Sequence, residues 1–224
     1  MKISLNVDTS RWLELPRLVD GSEEARQWEE AVLADMKVAW RGALDASSEP
    51  FVREALRNGL RRVSDDDSVT LQYWPDASIV NAIVHVSAAP FAPDEPRQVV
   101  PLADMLFVTQ PVVEMFDTAH LGDGVEARYL TTIGEQPPIR VAGVNYLFQN
   151  EFGYVAVGVE PTLPSLVGIL LEPLREVVRG IQIIDDAEGN WQRASVDEST
   201  LPHRGEEWNV DAGREPELSA HAAQ

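Results

Sequence analysis

VEARYLTTI (125–133), IRVAGVNYLFQN (139–150), FGYVAVGV (152–159), LPSLVGILLEPLREVVRG (163–180) and IQII (181–184) follow one another almost without interruption. The first three are rich in β-branched and aromatic residues and read as strands. The fourth is too long for a strand and reads as a helix, with Thr162 or Ser165 available to cap it. Pro173 lies inside that helix and is expected to kink it. Its residues from Leu166 to Leu171 are nearly all apolar, which predicts a buried element. IQII is a short closing strand. This order predicts an α/β (α+β) domain with a mainly antiparallel sheet flanked by helices.

Working outward, residues 1–16 read as an extended segment that stops at Pro16. A helix follows, with Asp20 or Ser22 as cap and Glu23 and Glu24 in the first turn, where the helix dipole favours acid. Ala25, Trp28, Val32, Met36, Ala39 and Ala43 recur at helical spacing, so the helix is expected to run to about Asp45. A second N-terminal helix begins at Pro50, capped by Ser48 or Glu49, with Phe51, Ala55, Leu56, Leu60 and Val63 as its apolar stripe. The run SDDDS (64–68) stops it and reads as a solvated turn. VTLQYWP (69–75) and IVNAIVHVSAA (79–89) are strand-like, and Pro90, Pro93 and Pro96 mark a loop. Residues 102–120 are ambiguous: LADMLFV (102–108) could open a helix, Pro111 interrupts it, and VVEMFDTAH could make a further helical turn or two. Gly122-Asp123-Gly124 reads as a turn. Beyond Asp186 there are few aliphatic residues and many acids. The expected organisation is a single domain over 1–186 and an acidic, disordered tail over 187–224. Trp191, close to the last strand, is expected to pack back onto the domain.

The chain has 224 residues and no cysteine, which excludes disulfides, thiolate metal sites and cysteine nucleophiles. Its net charge is −19, and residues 65–172 hold 15 acidic against 3 basic side chains. Such a field repels nucleic acid and anionic lipid, whose phosphates need Lys and Arg, and favours a basic protein partner or simply solubility. The start, MKISLNVDTSRW, has no apolar signal region, and no apolar run approaches the roughly 20 residues of a membrane span. A cytoplasmic location without membrane contact is expected.

Three constellations merit a chemical reading. Arg53, Arg57 and Arg61 share one face of the second helix at i, i+4 and i+8. They form either a stripe for an acidic partner or the solvated back of an amphipathic helix supported by Glu49 and Glu54. Glu114, Asp117 and His120 are three apart, and if 112–120 is helical they lie near one face and could hold a divalent metal. The spacing lacks the two-histidine pattern of zinc helices, and a polar helix end is the preferred explanation. Trp208 in the tail is a potential interface anchor. His85, in an apolar strand, reads as a packed or hydrogen-bonded side chain. Gly143, Gly153 and Gly158 lie in strands and read as close-packing positions. No nucleophile elbow, phosphate loop or dinucleotide fingerprint is present.

The order of elements from residue 69 to 184 resembles the PsbP-like α/β/α sandwich, in particular its actinobacterial members. The residues that carry the likeness are GVEARYLTTI, the pair around Val144-Asn145-Tyr146-Leu147-Phe148 and Tyr154-Val155-Ala156-Val157, the helix after Pro161-Thr162, and Ile181 to Ile184. The chain lacks the lipoprotein signal and cysteine of those members. The resemblance implies a scaffold that binds proteins or small ligands and performs no chemistry, and it carries over no functional residue. The expectation is therefore a non-enzymatic, cytoplasmic protein-binding module with no cofactor: an adaptor, a secretion-associated factor or a toxin-neutralising (immunity) protein that presents an acidic surface to a basic partner. The alternatives are a metal-dependent enzyme using Glu114, Asp117 and His120, or a small-ligand-binding domain.

Overall fold

In β4 (Ala82–Pro90), Val84 and Val86 are wholly buried while His85 between them is partly exposed, the period-2 signature of a strand with two unlike faces. A computed structural model describes residues 1–41, 43–75, 80–91, 102, 106–134, 137–185, 191, 193–197 and 201. The elements are β1 (Lys2–Ser4), β2 (Trp12–Leu15), α1 (Glu23–Ala39), α2 (Glu49–Arg62), β3 (Val69–Tyr73), β4, β5 (Val112–Thr118), β6 (Gly122–Ile133), β7 (Ile139–Gln149), β8 (Gly153–Val159), α3 (Pro164–Arg179) and β9 (Gln182–Asp185). Seven strands form one antiparallel sheet in the order β2-β3-β4-β8-β7-β6-β5. β1 and β9 pair separately, tying the N-terminus to the segment after α3. The chain is thus an α+β fold.

Helices cover opposite faces of the sheet. α3 buries Leu166, Leu170, Leu174 and Val178 against Val84, Val86, Val144, Tyr146, Phe148, Val155 and Val157. On the other face, at the β2–β3 end, α1 and α2 enclose a second core of Val32, Leu33, Val52, Leu56 and Trp74. Strand alternation produces the division: Leu71 and Tyr73 join the α3 core, whereas Gln72 turns the other way and donates to the Ala55 carbonyl of α2 at 3.0 Å.

The N-terminal helices form where the sequence places them, and their ends differ in detail. Ser22 caps α1, its hydroxyl accepting from the Ala25 N–H at 3.0 Å. Ser22→Ala should lower stability by about 1 kcal/mol, measurable as a reduced urea midpoint with unchanged m-value. α1 stops at Ala39, several residues short of Asp45, and Arg41 adopts φ 49° just beyond it. Asp45 instead closes the turn before α2. Its carboxylate accepts from the Ser47 hydroxyl and from the Ser47 and Ser48 amides at 2.7–2.9 Å, which holds its pKa down to about 2.

α3 departs from expectation in its cap and in its burial. Neither Thr162 nor Ser165 caps it; Pro164 opens it, and Thr162 makes a two-bond bridge to Ala142. The helix runs as one element through Pro173. Pro173 frees the carbonyl of residue 169, and Ile169 is 56% exposed, so water can satisfy it. That exposure also corrects the expectation of a continuously buried stretch: Leu166, Val167 and Leu170 are buried, Gly168 and Ile169 are not.

The helical turns considered for residues 112–120 are not formed; the segment is a strand. Residues 112–118 form β5 and pair with β6 over seven consecutive positions. The turn into β6 lies at 119–121, ahead of the Gly-Asp-Gly run, and Gly122 takes φ +92° at the strand's first position. The tight glycine expected in β7 is present: a Cβ on Gly143 would lie 2.3 Å from the Tyr129 hydroxyl. Residues beyond 186 contribute to the body. Trp191 packs against the main core, Leu201 is buried, and Ala194 exchanges backbone hydrogen bonds with Leu121 and Asp123. The packed body therefore extends past the boundary at 186. Most of the tail of 187–224, with Trp208, lies outside the described residues.

Candidate functional site

The arginine face of α2 is engaged within the fold. Arg53 donates to Glu29 (2.8 Å), Glu30 (2.6 Å) and Glu49 (2.7 Å), and Arg57 forms a fork on Glu29 (2.7 and 3.1 Å). Arg61 reaches Asp20 and Glu54, both at 2.8 Å. Glu29 is only 5% exposed, so two guanidinium groups neutralise a carboxylate that α1 buries against α2. The Glu30, Glu29 and Glu49 carboxylates together push the Arg53 pKa up. Arg57 and Arg61 remain 44% and 43% exposed, and Arg53 and Arg61 pair with Glu49 and Glu54, as a solvated helix face supported by those acids does; the contacts with Glu29 and Glu30 of α1 are additional. They clamp α1 to α2.

Glu114, Asp117 and His120 are not brought together. In a strand, residues three apart lie on opposite faces, and the helical premise fails with β5. Glu114 shares the α3 face with Arg128, to which it is bonded at 2.5 Å. Asp117 points to the other face. His120 lies in the following turn, its Nε2 3.2 Å from Gln182 Nε2. Among the described residues, no group of three or more His, Asp or Glu is arranged to hold a metal ion.

A cluster that the sequence reading did not assemble joins Asp67, His85 and Glu160. The register pairs Thr70 with His85, which places the α2–β3 turn beside β4. Asp67, 7% exposed and not the solvated residue expected of SDDDS, takes His85 Nδ1 at 2.6 Å and the Thr70 hydroxyl at 2.8 Å on Oδ2. Ser87 donates to its other oxygen at 3.3 Å. Glu160, just after β8, lies 3.2 Å from His85 Nε2 and 3.7 Å from Arg62 Nε at the end of α2. Arg17 donates to the Asp67 backbone carbonyl.

Both imidazole nitrogens therefore face carboxylates, and neither is presented to a substrate as a general base must be. Ser87 bonds Asp67 and not His85, so this histidine does not activate it. The cluster is a clasp between the α2–β3 turn, β4 and the β8–α3 connection. Glu160 foremost, and Asp67, raise the His85 pKa against the opposing effect of burial. A folded-state pKa above the unfolded value contributes stability that is complete below about pH 6.5 and is lost as pH rises through the folded pKa. His85→Gln should therefore flatten the fall in stability between pH 6 and pH 8. The expected difference at pH 6 is about 1 kcal/mol, read from urea midpoints across that range.

A third cluster lies under α3. Glu126 of β6, 1% exposed, accepts from Arg175 Nε and an Arg175 terminal nitrogen, both at 2.7 Å, and from the Tyr146 hydroxyl at 2.8 Å. Arg128 Nε lies 3.1 Å from the same carboxylate without hydrogen-bond geometry. Burial and the adjacent Glu126 charge push the Tyr146 phenol pKa well up, so it stays a donor. The sequence offers one signal for this cluster, an acid at a core-facing position of a strand.

Between residues 65 and 134, Arg128 is the sole Lys or Arg among the described residues, and it is taken up by Glu114 and Glu126. Among the described residues, no Lys, Arg or His is ion-paired with Asp65 or Asp66 on the α2–β3 turn or with Asp117 or Asp123 on the β5–β6 hairpin. Asp117 is directly opposite Asp123 in the ladder. Like charges at opposite positions are destabilising, and nothing described in the fold offsets this pair. Comparison with protein-family models, curated proteins and solved structures gave no match. Among the described residues, no helix is long and apolar enough to cross a membrane.

Proposed function

We propose that the protein is a non-enzymatic, cytoplasmic binding module that offers an acidic surface to a basic protein partner, as an adaptor, secretion-associated factor or immunity protein does. The observation that supports this is the fate of the charged groups. The arginines of α2, the histidine of β4 and the buried Glu126 are all satisfied internally, whereas Asp65, Asp66, Asp117 and Asp123 have no counter-charge among the described residues. The PsbP-like order of elements over residues 69–184 agrees with a scaffold role. Titration of the full chain with a lysine-rich peptide and with its glutamate-substituted twin tests the reading. Binding of the lysine form alone is expected, weakening between 50 and 200 mM salt as surface electrostatics are screened. Equal affinity for the two peptides, or binding of neither, would overturn it.

A further inference from the structure

The sheet has two edges, and they are treated differently. β2 is four residues long and is followed at once by Pro16. β5 is seven residues long, contains no proline or lysine, and pairs with β6 without a register shift, so no bulge turns it away. Those are the devices by which folds ordinarily blunt an exposed edge. On the outer side of β5 no further strand pairs among the described residues, and Met115 at its centre is 38% exposed. The face opposite α3 carries Val113, Met115 and Asp117 in a row, beside Ala127, Val125 and Asp123 of β6.

Resting on the acidic-module reading above, we propose that the outer edge of β5 is the docking site, and that its occupant is an extended basic segment of another protein, added to the sheet as an eighth strand. Main-chain hydrogen bonds along residues 112–117 would hold it; the Thr118 carbonyl is already taken by Arg193 at 3.3 Å. The alternation of the edge sets the partner's chemistry. An apolar side chain lies over Val113 and Met115, and two residues on, a Lys or Arg meets Asp117 and relieves its repulsion with Asp123. A second copy of this chain is disfavoured as occupant, because it would bring another acidic strand, on a molecule of net charge −19, to an edge that is already acidic.

A peptide whose alternate residues read lysine, valine, valine with threonine between them, so that all three share one face of an extended strand, with a twin carrying glutamate in place of the lysine as control, tests the site by calorimetry and backbone hydrogen exchange on the full chain. The lysine peptide should bind and slow exchange at residues 112–117. Asp117→Lys should weaken that binding at least tenfold and improve binding of the glutamate twin. This variant converts the like-charged pair with Asp123 into an opposite-charged one, so its thermal midpoint should not fall and lost binding cannot be attributed to unfolding. Binding that persists unchanged in the variant, with protection elsewhere on the surface, overturns the docking site and leaves the acidic-module reading standing. No binding of the lysine peptide to the unaltered chain removes both. Self-association of the unaltered chain with protection at 112–117 would make a second copy the occupant and overturn the basic partner.

Discussion

Replacing Arg175 with methionine is expected to lower the unfolding free energy by about 3–5 kcal/mol, one of the two largest single losses this fold should show. Arg175 donates twice to Glu126, and Glu126 is buried at the junction of α3, β6 and β7. The variant retains the carboxylate in place and removes its main counter-charge. Arg128 remains at 3.1 Å but is not aligned to donate, and the Tyr146 hydroxyl alone cannot neutralise the charge. The cost is that of a buried carboxylate left with only an unaligned counter-charge shared with Glu114, not the worth of a salt bridge. A double variant separates the two. Glu126→Leu combined with Arg175→Met removes both charges and fills the space with apolar groups, so it should be clearly more stable than Arg175→Met alone. Urea unfolding of the two variants beside the unaltered chain measures this. If Arg175→Met costs less than about 1 kcal/mol, the cluster is not the electrostatic centre of the α3 packing.

This cluster also shows where sequence reading stops. The strands of residues 125–159 are legible because alternation and β-branching are local properties, and the helix after them is legible because its stripe is local too. The charged clusters join residues far apart in the chain. Arg53 and Arg57 meet Glu29 across 24 and 28 positions, Arg175 meets Glu126 across 49, and His85 meets Glu160 across 75. No spacing rule reaches so far, so the tie that Arg53 and Arg57 make to Glu29 of α1 is not legible in a helix face that reads as solvated. β5 failed for a different reason. It is an edge strand with both faces partly exposed, so its apolar and polar residues fit a helical period as readily as a strand's. Only its pairing with β6 decides, and that pairing moves Asp117 away from Glu114 and beside Asp123.

Gly168, Ile169 and Leu170 are adjacent in α3, all apolar, and should respond to alanine in three different ways. Leu170 is wholly buried against the sheet, so Leu170→Ala removes most of a packed side chain and leaves a cavity. The expected loss is about 2–5 kcal/mol, in the upper half of that range if the sheet face cannot collapse into the gap. Ile169, one position on around the helix, is 56% exposed, and Ile169→Ala should change stability by no more than about 0.5 kcal/mol, since alanine's better helix propensity offsets the small apolar area lost. Gly168 is exposed as well, and a Cβ built on it meets nothing within 4 Å. Gly168→Ala should therefore stabilise the protein by about 0.5–1 kcal/mol, by reducing the freedom of the unfolded chain at a helix-interior position. The three urea midpoints should be ordered Gly168→Ala above the unaltered chain, Ile169→Ala level with it, and Leu170→Ala far below. A loss at Ile169 as large as that at Leu170 would mean that α3 is buried on both sides, covered by something that packs over its outer face, and the exposed flank of the helix would then be an interface.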